Sequence, residues 1–162
     1  MSKISPCLWF NGEAEKAATF YVSLLPDSRI RRVQRNLVDS PAGKAGQALV
    51  VDFTLAGQNY MALNGGMRFD YTPAISFKID CADQAEVDRL WDALSSGGGT
   101  PQQCGWVKDR YGVSWQVVPS VLPELLGGSD GAGAKRAMQA MLGMKKLDIA
   151  ALRRAYEGKS AA

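Results

Sequence analysis

The chain predicts an α+β fold: two tandem βαβββ modules followed by a C-terminal helical extension. Three observations carry that prediction. A strand, helix, strand, strand, strand succession of hydrophobic periods runs from residue 4 to residue 63 and starts over at residue 74. Each of the two helices ends on a breaker, Pro26-Asp27 in the first case and Gly97-Gly98-Gly99 in the second. After Pro119 the period-2 alternation stops and helical spacing takes over.

Each element has its own signal. Residues 4–10 are short, apolar and bulky, and read as a strand. Asn11-Gly12 is a turn, with Asn11 placed to cap the following helix. Residues 13–24 put Ala14, Ala17, Ala18, Tyr21 and Leu24 or Leu25 on one helical face. Residues 29–37 alternate as a half-exposed strand, and 40–46 are a loop. Residues 48–56 and 60–63 are strands joined by Gly57-Gln58-Asn59. In the second module residues 74–79 are a strand. Asp83 with Glu86 forms a capping box for a helix whose stripe is Val87, Leu90, Trp91 and Leu94. Residues 100–104, 106–108 and 113–118 are the remaining strands. In the tail, residues 122–126 form one helical turn and 127–133 a flexible hinge. Residues 134–144 form a Met-rich helix, and Asp148 caps a last helix. The modules are thus placed at 1–66 and 67–120, and the extension at 121–162.

Composition excludes several classes. The chain has 162 residues and is 46% hydrophobic, enough for a core. Its net charge of +3 is spread along the chain, Arg29, Arg31 and Arg32 apart, which argues against a nucleic-acid partner. Cys7, Cys81 and Cys104 form no Cys-x-x-Cys pair, and their odd number fits a reducing cytoplasm better than a disulfide framework. No leader-like segment and no apolar run of about 18 residues is found, so a soluble protein with no membrane partner is expected. There is no histidine, which rules out every His-based triad and His-containing metal site.

Phe20-Tyr21 followed by Leu24-Leu25-Pro26, and the late turn Asp109-Arg110-Tyr111-Gly112, make the chain resemble the vicinal oxygen chelate superfamily, the glyoxalase, bleomycin-resistance and dioxygenase group. A narrower resemblance rests on the segments 10–17, 104–106 with 115–116, and the tail motifs 138–141 and 144–152. These look like the PhnB-like branch, whose domain is labelled 3-demethylubiquinone-9 3-methyltransferase. The resemblance implies a glyoxalase/bleomycin-resistance-like fold, a homodimer and a cavity. In the metal-dependent members that cavity holds an ion on four side chains. The matching positions here fall in the 5–7 window, at or next to Asn64, at Ala74 and at Gln116, and none is a His, Glu or Asp. Ala74 has no donor atom, so no metal is expected. Nor does either glycine run form the turn that opens a helix beneath an adenosyl methyl donor; the triplet at 97–99 follows a helix, as a C-cap does. No cofactor is expected.

Period-2 facing, started from those positions, lists the pocket. Gln116 brings Ser114 and Val118 with it, Ala74 brings Ser76 and Lys78, and Asn64 brings Ala62 and Tyr60. The expected lining is therefore Tyr60, Asn64, Ser76, Lys78 and Gln116, with Trp106 near the mouth. Trp9, Trp91 and Trp115 are expected in the core, Cys7 and Cys104 as small buried side chains, and Lys78 either in the pocket or reaching to solvent. The leading function is metal-independent binding of a small organic molecule of unspecified identity. The alternatives are an enzyme using Lys78 or Tyr60 as acid or base, with Asn64 or Gln116 orienting a carbonyl, and methyl transfer as in the family label.

Overall fold

The computed structural model describes residues 3–159. The chain divides into two compact units, Met1–Asp70 and Tyr71–Ala162.

The first unit runs β1 (Cys7–Phe10), α1 (Ala14–Val22), β2 (Arg29–Arg35), β3 (Ala48–Leu55) and β4 (Gln58–Asn64). Its sheet has the order β1-β4-β3-β2, with β1 parallel to β4 and the other pairs antiparallel. The strand expected from residue 4 begins only at Cys7, and Ile4 is 83% exposed. Pro6, without an N–H, can only accept there, and it does so from Met61 N at 2.9 Å. α1 buries Ala14, Ala17, Ala18 and Tyr21. Three alanines let it lie close on the sheet face that carries Val51, Phe53, Tyr60 and Ala62, all buried. The β3–β4 turn is Ala56-Gly57, one residue earlier than the glycine spacing suggests. Both residues are left-handed (φ 46° and 78°), the conformation that matches hairpin twist.

The second unit repeats the succession: β5 (Phe77–Cys81), α2 (Gln84–Ser95), β6 (Thr100–Pro101), β7 (Trp106–Lys108) and β8 (Ser114–Pro119). Its sheet order β5-β8-β7-β6 is that of the first unit. α2 starts as expected: Asp83 Oδ1 accepts from Glu86 N at 2.9 Å, and Glu86 reaches back to Ala82 N at 2.8 Å. Val87, Leu90, Trp91 and Leu94 are buried with Ile79, Cys81, Val107, Trp115 and Val117. β5 does not begin at Ala74. Pairing starts at Phe77, opposite Trp115, while Thr72 and Ile75 close a turn that leaves Ile75 72% exposed.

Three helices complete this unit: α3 (Leu122–Gly127), α4 (Gly131–Leu142) and α5 (Ile149–Tyr156). The expected hinge is shorter than its composition suggests. Asp130 Oδ1 accepts from Ala132 N (3.1 Å) and Gly133 N (3.0 Å), which draws the last three residues of the glycine-rich run into the first turn of α4. Gly133 serves packing: a Cβ there would stand 2.9 Å from Tyr156 O. Asp148 caps α5 through Ala151 N at 2.8 Å. Leu122, Leu125, Ala137, Leu147 and Leu152 bury Val118 of β8 in a common cluster. Among the described residues no helix is long and apolar enough to cross a membrane.

Candidate functional site

The two motifs that drew attention in the sequence turn out to build backbone. Asp109 is buried at 3% exposure. Its Oδ1 accepts from Tyr111 N (2.8 Å) and Val113 N (3.0 Å), and its Oδ2 from Trp115 Nε1 (2.8 Å). Gly112, at φ 90°, closes the turn by donating to Asp109 O at 2.9 Å. The Asp-x-x-Gly turn therefore joins β7 to β8 and pins the core indole, and both oxygens of its carboxylate are engaged in that task.

Asn64 has a similar role in the first unit. Its Oδ1 accepts from Gly12 N (2.9 Å) and Ala14 N (3.0 Å), and its Nδ2 donates to Ala48 O (2.9 Å). It caps α1 from the end of β4, the role expected of Asn11, which is exposed. Glu13, at the local cap position, makes no side-chain cap bond. A cap supplied from 50 residues away leaves no local spacing to read.

Tyr60 lies on the same α1 side of its sheet as Asn64. Its ring stacks on Phe53 with centroids 5.3 Å apart, and burial pushes its phenol pKa up. Its edge borders a hollow of about 500 Å³ that is otherwise lined by Ser5, Arg31, Arg32, Asp52 and Asn59. In the pairing register, Cys7 and Met61 stand opposite each other on the face away from α1, with Trp9 and Leu63 beyond them. Cys7 is exposed, against the expectation of burial. Trp9 is half-buried instead of core. It donates to Met67 O at 2.7 Å and meets Phe69 edge-on at 5.3 Å.

The second unit gathers the other four expected residues. Lys78 of β5 stands opposite Gln116 of β8, and Gln116 stands opposite Trp106 of β7. Register partners share a face, so the three form a row across the sheet on the side away from α2. Ser76 joins them: Gln116 Nε2 donates to Ser76 Oγ at 2.9 Å. The carboxamide is thereby oriented, and its Oε1 accepts no hydrogen bond among the described residues. The indole N–H of half-buried Trp106 likewise donates none. Val118, two residues beyond Gln116 on the same face, is covered by α3–α5, so the helical extension walls one end of the row. Lys78 is 45% exposed along its side chain and pairs with Asp80 at 2.5 Å. Its ammonium is thus held in water by a carboxylate, unlike the buried, unpaired amine that proton transfer needs.

Lys108 is the residue that the sequence did not single out. It is half-buried, two positions from Trp106 on β7 and opposite Ser114. The alternation of a three-residue strand puts it on the row's face. A three-residue strand is too short for that alternation to stand out.

Comparison with protein families finds a match over residues 2–118 to the model described as 3-demethylubiquinone-9 3-methyltransferase. That segment spans both βαβββ units, and α3–α5 lie beyond it. Among solved structures, the chain is similar to the PhnB protein of Bacillus cereus, which carries the same methyltransferase description. Identity is 35% over 71% of this chain and 97% of the other, with a TM-score of 0.65. It is also similar to a Pseudomonas aeruginosa protein, PA1353, at 23% identity over 71% and 95%, TM-score 0.57. The fosfomycin resistance protein FosX from Listeria monocytogenes matches at 14% identity over 74% and 92%, TM-score 0.49. No curated protein matches. The family match across both βαβββ units and the 35% identity to PhnB agree: the chain belongs to the 3-demethylubiquinone-9 3-methyltransferase family, beside the PhnB protein.

Proposed function

We propose that the protein is a metal-independent binder of a small organic molecule, and that the row Lys78, Gln116 and Trp106 with Ser76 supplies the polar contacts. One observation carries this reading. Gln116 is the position that the resemblance to the vicinal oxygen chelate superfamily matches to the last metal ligand of its metal-dependent members. Here its amide is tied to a serine hydroxyl, and its carbonyl oxygen is left to accept a hydrogen bond. A neutral carbonyl oxygen beside an ammonium and an indole suits an organic partner. It does not suit a divalent cation, which takes carboxylate, thiolate or imidazole donors. In the first unit, the thiol of Cys7 and the thioether of Met61 occupy the corresponding paired positions. Cys7 is a single thiol, too few for a divalent site, and among the described residues no three His, Cys, Asp or Glu side chains gather to hold one, so the residues present do not fit the ion.

The enzyme reading loses support at its named residues. Lys78 is ion-paired and open to water, Tyr60 is stacked in the first unit's core with its pKa raised, and Asn64 spends its amide on α1. Methyl transfer rests on the family description alone. As support for a homodimer, Met138 and Leu142 stand one turn apart on α4 and are 40% and 59% exposed. The edge strand β2, by contrast, carries Arg29, Arg31, Arg32 and Arg35, charges that discourage strand addition. Three free cysteines favour a reducing compartment such as the cytoplasm.

Elemental analysis and calorimetry test the reading together. Purified protein should hold no stoichiometric divalent metal and should give no saturable heat with the adenosyl methyl donor. One equivalent of bound metal, or micromolar binding of the donor, would overturn it.

A further inference from the structure

We infer that the face of the second unit selects a flat aromatic acid: a ring carried by Trp106, an anionic group at Lys108 and a hydroxyl directed to Gln116. The inference rests on the small-molecule reading above and adds the chemical class.

The argument starts from the cations. Two lysines stand on the face away from α2, and they differ in one respect. Lys78 is neutralised by Asp80 at 2.5 Å. Lys108 is half-buried and has no carboxylate partner among the described residues. A half-buried lysine whose stem is held against the fold and whose ammonium has no counter-charge among the described residues can pair with an anion at a fixed place. Neighbouring positions on one strand face lie about 7 Å apart, so Lys108 and Trp106 can engage two ends of one small molecule.

The ring requirement comes from the flanks. Trp106 offers an indole face, and its N–H is unused among the described residues. On the other side of Lys108, a Cβ built on Gly112 would stand 3.6 Å from Lys108 Cε and 3.7 Å from the Tyr71 ring. The stem of Lys108 thus converges with an aromatic ring at the turn. The third contact is polar. Gln116 lies directly opposite Trp106, and its bond to Ser76 aims an unoccupied carbonyl oxygen that can take a hydroxyl donor. One cation, one ring platform and one acceptor on adjacent register positions define a hydroxylated aromatic carboxylate better than an aliphatic acid or a neutral ring.

Titration calorimetry with the full chain tests this. The probes are 3-hydroxybenzoate and 6-hydroxy-2-naphthoate, their carboxamides, and cyclohexanecarboxylate. At least one hydroxyaryl acid should bind, roughly five- to twentyfold more tightly than its carboxamide. That preference should shrink with added salt, and cyclohexanecarboxylate should bind more weakly still. Lys108→Met should equalise acid and carboxamide while leaving carboxamide affinity within about twofold. Trp106→Leu should weaken both. Equal affinity of acid and carboxamide in the unaltered protein would overturn the anion assignment alone, and a Lys108→Met variant that keeps the preference would do the same. Absence of binding by every aromatic probe to folded protein would overturn the inference together with the binding reading beneath it.

Discussion

Asp109 offers the sharpest test of how the second unit is built. Asp109→Asn keeps one oxygen of the side chain and turns the other into an NH2 donor. If the remaining oxygen stays on Tyr111 N and Val113 N, the new NH2 points at Trp115 Nε1–H, donor against donor. The buried indole then loses a 2.8 Å partner. Losing a hydrogen bond to a charged group costs about 1.5–3 kcal/mol, and leaving a buried donor unsatisfied costs about 1–3 kcal/mol. These overlap, so a destabilisation of about 2–4 kcal/mol is expected. Trp115→Phe removes the same indole donor from the other side and adds its own loss of core volume, Trp115 being 1% exposed. Because both substitutions break one bond, the double variant should be less destabilised than the sum of the singles by about 1–2 kcal/mol. Urea unfolding followed by circular dichroism gives all four stabilities. Additivity within about 0.5 kcal/mol would show that the indole bond contributes nothing, and the structural reading of the Asp-x-x-Gly turn would fail.

Three further outcomes follow from named contacts. Asn64→Ala strips the long-range cap from α1 and leaves Ala48 O without its buried donor. It should cost about 2–4 kcal/mol in chemical unfolding, whereas Asn11→Ala should cost under about 0.5 kcal/mol. Burial pushes the Cys81 thiol up to about 12, so alkylation of native protein at pH 8 should label Cys7 and Cys104 and spare Cys81; mass spectrometry of digests reads this directly. Lys146 holds the Asp88 carboxylate below its ordinary pKa of 3.8. A carboxylate with a depressed folded pKa adds stability above its unfolded value, and that stability is lost as pH falls through the folded value. Lys146→Met should therefore lower the melting temperature at pH 6, and the gap to the unaltered protein should close as pH is taken below 3.8.

Much of this architecture is legible in the chain because its signals are local. The stripe on α2, its capping pair Asp83 and Glu86, and the cap of α5 at Asp148 all depend on residues within one turn of each other. The facing of β8 follows from strict alternation, so Trp115 and Val117 are read as core and Gln116 as turned away from α2. Most of what fails depends on partners distant in sequence, the local turn before β5 being the exception. Asn64 looks like a pocket residue until its amide is seen on Gly12, Ala14 and Ala48. β5 looks as though it starts at Ala74 until the turn at 72–75 removes that segment from the ladder. The apolar run around Trp9 reads as buried. Yet the indole stands on the face away from α1, where Gly65 makes room for it: a Cβ at that residue would fall 1.8 Å from the ring.

The duplication itself argues for where recognition should reside. Two units with the same strand order present equivalent paired positions on the faces away from their helices, Cys7 with Met61 and Lys78 with Gln116. In the first unit these positions carry sulfur side chains with little hydrogen-bonding strength. In the second they carry an ammonium and a carboxamide, the latter held in place by Ser76. A fold that repeats its backbone but differs in polarity at matched positions has been given its directional contacts in one half. On the proposed binding reading, orientation of a ligand falls to the second unit, where α3–α5 close one end of the row and Gln116 is an oriented acceptor. The late Asp-x-x-Gly turn has a structural task, because Asp109 holds Trp115 and the turn before β8 in place. That requirement belongs to the scaffold and persists whatever chemistry Gln116 is given.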